Sequence, residues 1–282
     1  MVVDLGLGGL SVMAALTQRL QDIPLCDRAR IIFLNLEFDT AINYENSSTQ
    51  IEIVQQFDRD LVAISSQYQP HLLLIACNTL SVLYRQTQFI HNPLFPVVDI
   101  INMGVKTIAR HLDKFPQQNV LIFGTSITTN SRLYSQHLES YGSDRIIEQN
   151  CPFLAESIER NYASQETEEI LESCIVQALN QLESTNKSIA ISLNCTHYGY
   201  IIDKFRSHFA NRGYPNIKIL NPNAKMSDFL FSGKNLSRHL KTEVQVEVLS
   251  KIPISSSLAK LLEPISRKTV RAFFNYNLSK LT

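Results

Sequence analysis

The chain has 282 residues, enough for a substantial core and for two compact lobes rather than one. Lys plus Arg and Asp plus Glu both total 26, so the formal net charge is zero and there is no electrostatic footprint for nucleic acid or an anionic membrane. Five cysteines without CxxC spacing speak against a secreted disulfide scaffold, no apolar run approaches the roughly 20 residues that span a bilayer, and the first ten residues lack a basic, apolar leader; a cytoplasmic protein with reduced thiols is expected.

Met1 to Asp4 reads as a short strand running into Gly6-Leu7-Gly8-Gly9, and Leu10 to Leu20 has a helical period with Ser11 as N-cap. The strand is clipped against a usual interior strand of about 5–6 residues, so further residues before Met1 are expected. The glycines allow close backbone approach to an anion, or simply a tight turn. Ile31 to Leu36 is a second strand, Asp39 to Thr49 a polar loop and Gln50 to Ser66 a helix. His71 to Ala76 is the third strand, followed by a helix from Thr79 to Phe89, a short strand at Val97-Val98 and a helix from about Ile101 to Leu112.

The theme then repeats. Asn119 to Phe123 is a strand, Gly124 to Thr128 a hydroxyl-rich turn, and Asn130 to Tyr141 a helix; an irregular stretch leads to Cys151-Pro152. Helices are expected over Phe153 to Tyr162 and Gln165 to Glu183, a strand over Ser188 to Leu193 and a helix over Tyr198 to Asn211. Lys218 to Leu220 is a strand, Ala224 to Leu240 helical and Val244 to Leu249 an edge strand. Strands alternating with helices predict an α/β fold with mainly parallel sheets flanked by helices.

Two stretches echo each other. Leu72 to Ala76 ends at Cys77-Asn78-Thr79, and Ile189 to Leu193 ends, one residue later, at Cys195-Thr196-His197. A continuous apolar run suits a strand buried on both faces, and the residues just past its carboxyl end face the crevice where open α/β sheets bind ligands. Two such units packed face to face would bound one cavity with a thiol on each side. Inverting an α-carbon needs an acid/base group on each face, and a thiol with an ordinary pKa near 8.5 can serve as either partner. A single strand-end cysteine is more often inert packing. Cys195-x-His197 could ligate zinc, although no companion pair completes a four-ligand site. His197 alone could be a satisfied helix-start histidine, and Glu159 alone part of the solvated face of its helix. Cys26, Cys151 and Cys174 read as structural.

Five blocks, taken together, resemble the glutamate racemases of the aspartate/glutamate racemase superfamily: Asp4-Leu5-Gly6-Leu7-Gly8-Gly9-Leu10, Ala76-Cys77-Asn78-Thr79, Gly124-Thr125-x-x-Thr128-x-x-Ser131-x-x-Tyr134, Cys151-Pro152 with Glu159, and Cys195-Thr196-His197-Tyr198. The resemblance implies two pseudo-symmetric lobes, residues 1–98 plus 212–282 and residues 99–211, with the active site in the cleft between them. It implies a cofactor-independent, metal-free racemase for a small amino-acid substrate, frequently a homodimer, supplying D-glutamate for peptidoglycan. By the same resemblance Cys77 exchanges the proton of the D-enantiomer with help from Asp4, and Cys195 that of the L-enantiomer with help from His197 and Glu159. Asn78, Thr79, Thr125, Thr128, Thr196 and Tyr44 are implied as substrate contacts.

The chain departs from the pattern at Leu5, where serine is usual, at Asn43-Tyr44-Glu45, where Pro-Tyr-Gly is usual, and at Asn194 and Gly199, where Gly and Pro are usual. These departures leave open a related superfamily enzyme for aspartate or another small carboxylate, and a homologue that binds without turnover.

Overall fold

In the computed structural model, residues 1–36, 47–142, 145–182, 188–231, 239–251, 254, 259 and 270–274 are described. They form two sheets, in which every described pairing is parallel. The first sheet contains β1 (Val2–Asp4), β2 (Arg28–Asn35), β3 (Leu73–Ile75), β4 (Val97–Asp99), β9 (Glu243–Ser250) and β10 (Val270–Phe274), in the order β10-β9-β2-β1-β3-β4. The second contains β5 (Asn119–Gly124), β6 (Ile146–Asn150), β7 (Ile189–Asn194) and β8 (Lys218–Leu220), in the order β6-β5-β7-β8.

Each sheet is covered on both faces, which is why its central strands are apolar throughout. Val2 joins the core that receives α1 (Leu10–Asp22) through Leu10, Met13 and Leu16, while its neighbour Val3 turns to the opposite core with α2 (Ser47–Tyr68). Helix α2 presents Ile53, Phe57, Leu61 and Ile64 to that core, a spacing of three and four that places them on one stripe. In the second sheet Leu121 and Phe123 of β5 face α7 (Leu154–Asn161), α8 (Gln165–Asn180) and α9 (Ile202–Ala210). Val120 and Ile122 face the other way, towards α4 (Ile100–Leu112). Helix α4 follows β4 of the first sheet yet packs Ile101, Ile108 and Leu112 under the second, so it joins the lobes. Its start is capped by Asp99, whose Oδ1 accepts from the Asn102 backbone N–H at 3.2 Å.

Several expectations are corrected. Ser11 lies inside the first turn of α1 and donates back to the Gly8 carbonyl at 2.9 Å; Gly9 holds the cap position. The helix expected over Asn130 to Tyr141 is reduced to α6 (Leu133–His137) and a 3-10 turn at Glu139–Tyr141, while the hydroxyl-rich turn before it forms α5 (Ser126–Asn130); Arg132, whose φ of 56° is left-handed, separates the two helices. The hydroxyls of Thr129 and Ser131 donate to the carbonyls of Thr125 and Thr128, competing with a continuous helical ladder. The irregular stretch before Cys151 contains β6, paired with β5 from Val120 to Gly124. The Tyr198 to Asn211 helix opens with 3-10 turns at Thr196–Ile201, and the one expected over Ala224 to Leu240 is replaced, in its described part, by 3-10 turns at Pro222–Lys225 and Asp228–Phe231. Strand β9 is not an edge strand, because β2 flanks it on one side and β10 on the other. The assignment of residues 212–282 to the first lobe fails at β8, which pairs with Ala190 to Ser192 in the second sheet. No helix among the described residues is long and apolar enough to cross a membrane.

Candidate active site between the lobes

The expected site residues emerge at the carboxyl ends of β1, β3, β5 and β7, the edge at which open parallel sheets present ligand-binding side chains. The short helix α3 (Asn78–Tyr84) follows β3, and Cys77 caps it with its sulfur accepting from the Leu80 N–H at 3.5 Å. Asp4, which ends β1 and is buried, lies beside this sulfur. Cys195 follows β7 directly, with its sulfur 3.8 Å from His197 Nδ1. The other imidazole nitrogen, Nε2, is 2.5 Å from Glu159 Oε2 on α7. The site therefore holds a thiol–carboxylate pair from the first lobe and a thiol–imidazole–carboxylate chain from the second.

The two sets are laced together across the seam. Thr196, next to Cys195, donates to Asp4 Oδ2 at 2.9 Å. In the opposite sense, the Leu7 backbone N–H of the glycine turn donates to Glu159 Oε2 at 3.0 Å. Thr79 of the first lobe meets Thr125 of the second at 2.9 Å, and Thr125 meets Thr128 at 3.0 Å. The glycine turn is glycine because the lobes touch there: a Cβ at position 8 would lie 2.3 Å from Thr196 Oγ1, and one at position 6 would lie 2.7 Å from Glu159 Oε2. The carboxylate at this turn is the protein's own Glu159.

Burial and neighbours make the two thiols electrostatically unlike. Burial, with the adjacent Asp4 carboxylate, pushes the Cys77 thiol well up, and charge on Cys195 raises it further, so the Cys195 sulfur is felt at Cys77. Burial also raises Asp4, against the opposing influence of His197 and of the hydrogen bond from Thr196. At His197 burial works against the imidazolium, but the hydrogen bonds to Cys195 and Glu159 outweigh it and hold the ring well above its usual value. Burial likewise opposes the Glu159 carboxylate, and the His197 contact overcomes it and leaves Glu159 below its usual value. A protonated His197 donates from Nδ1 towards the Cys195 sulfur and from Nε2 to Glu159. Cys77, with its raised value, is a thiol, and so a proton donor.

No protein-family model matches the chain. A glutamate racemase of Bacillus cereus is 30% identical over 199 residues, covering 70% of this chain and 67% of the relative. The chain belongs to the glutamate racemase family. A glutamate racemase of Helicobacter acinonychis is 27% identical over 208 residues, 74% of this chain and 75% of that one. The fold is that of the solved glutamate racemase of Francisella tularensis in complex with D-glutamate, at a TM-score of 0.70, 22% identity and coverage of 99% of this chain and 97% of that one.

Of the residues the racemase resemblance singled out, Asp4, Cys77, Asn78, Thr79, Thr125, Thr128, Glu159, Cys195, Thr196 and His197 are brought to this one seam, whereas Tyr44, with Asn43 and Glu45, lies outside the described residues. Leu5, at the position where racemases usually carry serine, packs against the apolar cluster of Val3, Leu73 and Leu80, and its backbone N–H serves the Cys77 sulfur. Cys151 and Cys174 are buried in the second-lobe core, and Cys26 is partly exposed. Between α3 and α5 opens a cavity of about 400 Å³ lined in part by Val82, Gln86, Ser126, Ile127 and Asn130, a lining that includes neither thiol. Three further side chains make contacts that had no sequence signal. The Tyr200 hydroxyl donates to the Leu7 and Gly8 carbonyls at 2.9 and 3.2 Å, Asn223 Nδ2 donates to the Thr196 carbonyl at 2.9 Å, and Tyr134 donates to Asn78 Oδ1 at 2.7 Å.

Proposed function

We propose that the protein interconverts L- and D-glutamate by proton transfer between two thiols, without metal or prosthetic group. The observation that carries this reading is the pairing of Cys77 with Asp4 on one lobe against Cys195 with His197 and Glu159 on the other, at a single laced seam. In the L-to-D direction the Cys195 thiolate takes the α-proton, and the Cys77 thiol delivers its own proton to the opposite face of the carbanion. Cys195 leaves the step as a thiol and Cys77 as a thiolate, which is the starting state for the reverse direction. From the resting state, with Cys77 a thiol and Cys195 a thiolate, the same reverse starting state is reached when the Asp4 carboxylate accepts the Cys77 proton and imidazolium His197 gives one to Cys195. Asn78 and the hydroxyls of Thr79, Thr125, Thr128 and Thr196 are neutral groups suited to the substrate's carboxylates and ammonium. Tyr44 belongs to the same proposal through the resemblance alone. The resemblance likewise supports a cytoplasmic homodimer serving peptidoglycan synthesis, which light scattering tests for its oligomeric part.

The departure at Asn43-Tyr44-Glu45 favours a second substrate reading, aspartate or another small carboxylate, because Glu45 adds an anion where glycine would admit one. Incubation with L-glutamate or L-aspartate in deuterated water separates the readings: α-deuteration and D-product from glutamate are expected, exchange confined to aspartate selects the second, and exchange with neither overturns both. Cys77→Ser and Cys195→Ser are each expected to lower racemisation by about 10³-fold or more while leaving the circular dichroism spectrum unchanged. Normal turnover by either variant would refute the two-base assignment.

A further inference from the structure

Tyr134 on α6 is fully buried and reaches from the second lobe into the first, where its hydroxyl donates to Asn78 Oδ1 at 2.7 Å. Asn78 is the residue after Cys77; it is buried, and its Nδ2 has no hydrogen-bond partner among the described residues. The phenol is seated tightly, for a Cβ added at Gly104 of α4 would lie 2.6 Å from its oxygen. Asn194, the residue before Cys195, is also fully buried and near enough to act on the phenol, and neither of its amide atoms has a hydrogen-bond partner among the described residues.

A buried amide has two orientations related by a flip, and its neighbours choose between them. A phenol that donates to Oδ1 turns the Asn78 N–H bonds away from Tyr134. Those two donors have no acceptor among the described residues, and burying them unpaired is costly unless a ligand completes them. We infer that Tyr134 is a positioning residue for the racemase reaction: from the second lobe it fixes the Asn78 amide so that its N–H bonds are presented to the α-carboxylate of the bound amino acid. The inference rests on the proposed glutamate reading. It assigns Tyr134 no proton transfer and no contact with the reacting carbon.

The test is a double-mutant cycle on the full-length protein with glutamate. Tyr134→Phe keeps the ring and removes only the hydroxyl; KM is expected to rise about tenfold with kcat changed far less, the pattern of a lost binding contact. Asn78→Ala is expected to raise KM at least as much, and adding Tyr134→Phe to it should raise KM no further. A Tyr134→Phe variant with wild-type KM, or one whose effect multiplies in full with that of Asn78→Ala, would overturn the inference in favour of a packing role. Wild-type protein inactive on glutamate would indict the proposed function instead. A crystal structure of the wild-type protein with D-glutamate decides the question even if the variants fail to fold. An Asn78 amide atom on the carboxylate must be nitrogen, since a carboxylate only accepts; its absence from that contact overturns the inference.

Discussion

At the scale of single residues, the site is organised by the difference between its two thiols. Cys77 is held protonated by burial and by Asp4, while Cys195 faces an imidazole whose charge is sustained by Glu159. His197 has its folded value raised above the ordinary 6.5, so its contribution to stability is complete below that pH and is lost as pH rises through the raised value. Glu159 has its folded value lowered from 4.5, so its contribution is present above 4.5 and is lost as pH falls through the lowered value. Urea unfolding across this range should show greatest stability between the two limbs. Replacing Glu159 by Gln removes the anion that supports His197; the alkaline limb of kcat/KM for L-glutamate should then move to lower pH, with a rate loss of about tenfold or more. An unmoved limb would show that Glu159 does not sustain the imidazolium.

At the scale of elements, the glycine turn after β1 is the contact on which the lobes meet. Gly8→Ala forces a methyl group into the space of the Thr196 hydroxyl, 2.3 Å away, and through it disturbs the hydrogen bond to Asp4. Overpacking of this kind costs about 1–3 kcal/mol, measurable by urea unfolding, and here racemisation should fall with it. Strands β3 and β7 were legible because interior parallel strands are apolar on both faces, and their ends were legible because a cysteine and a threonine recur there. Where the chain's conformation depends on distant partners, the sequence was silent. Nothing local marks Arg132 for a left-handed turn, β9 becomes interior only because Val270–Phe274 pairs with it, and the partners of β6 lie in a strand more than twenty residues earlier. Asp4, Glu159 and His197 were visible only through the family resemblance, since a lone acid or imidazole carries no signal of its partner. Tyr134 stood in a recognised motif, but its bond to Asn78 required both lobes to be in place.

At the scale of the whole molecule, α4 and the hydrogen bonds across the seam tie two sheets into one reactive unit. A ligand that bridges the lobes adds to these ties, so D-glutamate at a hundredfold over its Kd should stabilise the fold by about 2.7 kcal/mol, raising Tm measurably in a thermal shift assay. The Cys195→Ser variant, which keeps the lacing residues, should show a comparable rise, whereas Thr79→Val, which loses a bridging hydroxyl, should show a smaller one. The crossed anchoring of the carboxylates has a wider consequence. Asp4 is steadied by a hydroxyl from the far lobe and Glu159 by a backbone N–H from the near one, so any parting of the halves that admits or releases an amino acid slackens both acids at once. The two flanks of the site are thereby yoked: neither acid can lose its anchor to such a parting while the other keeps its own.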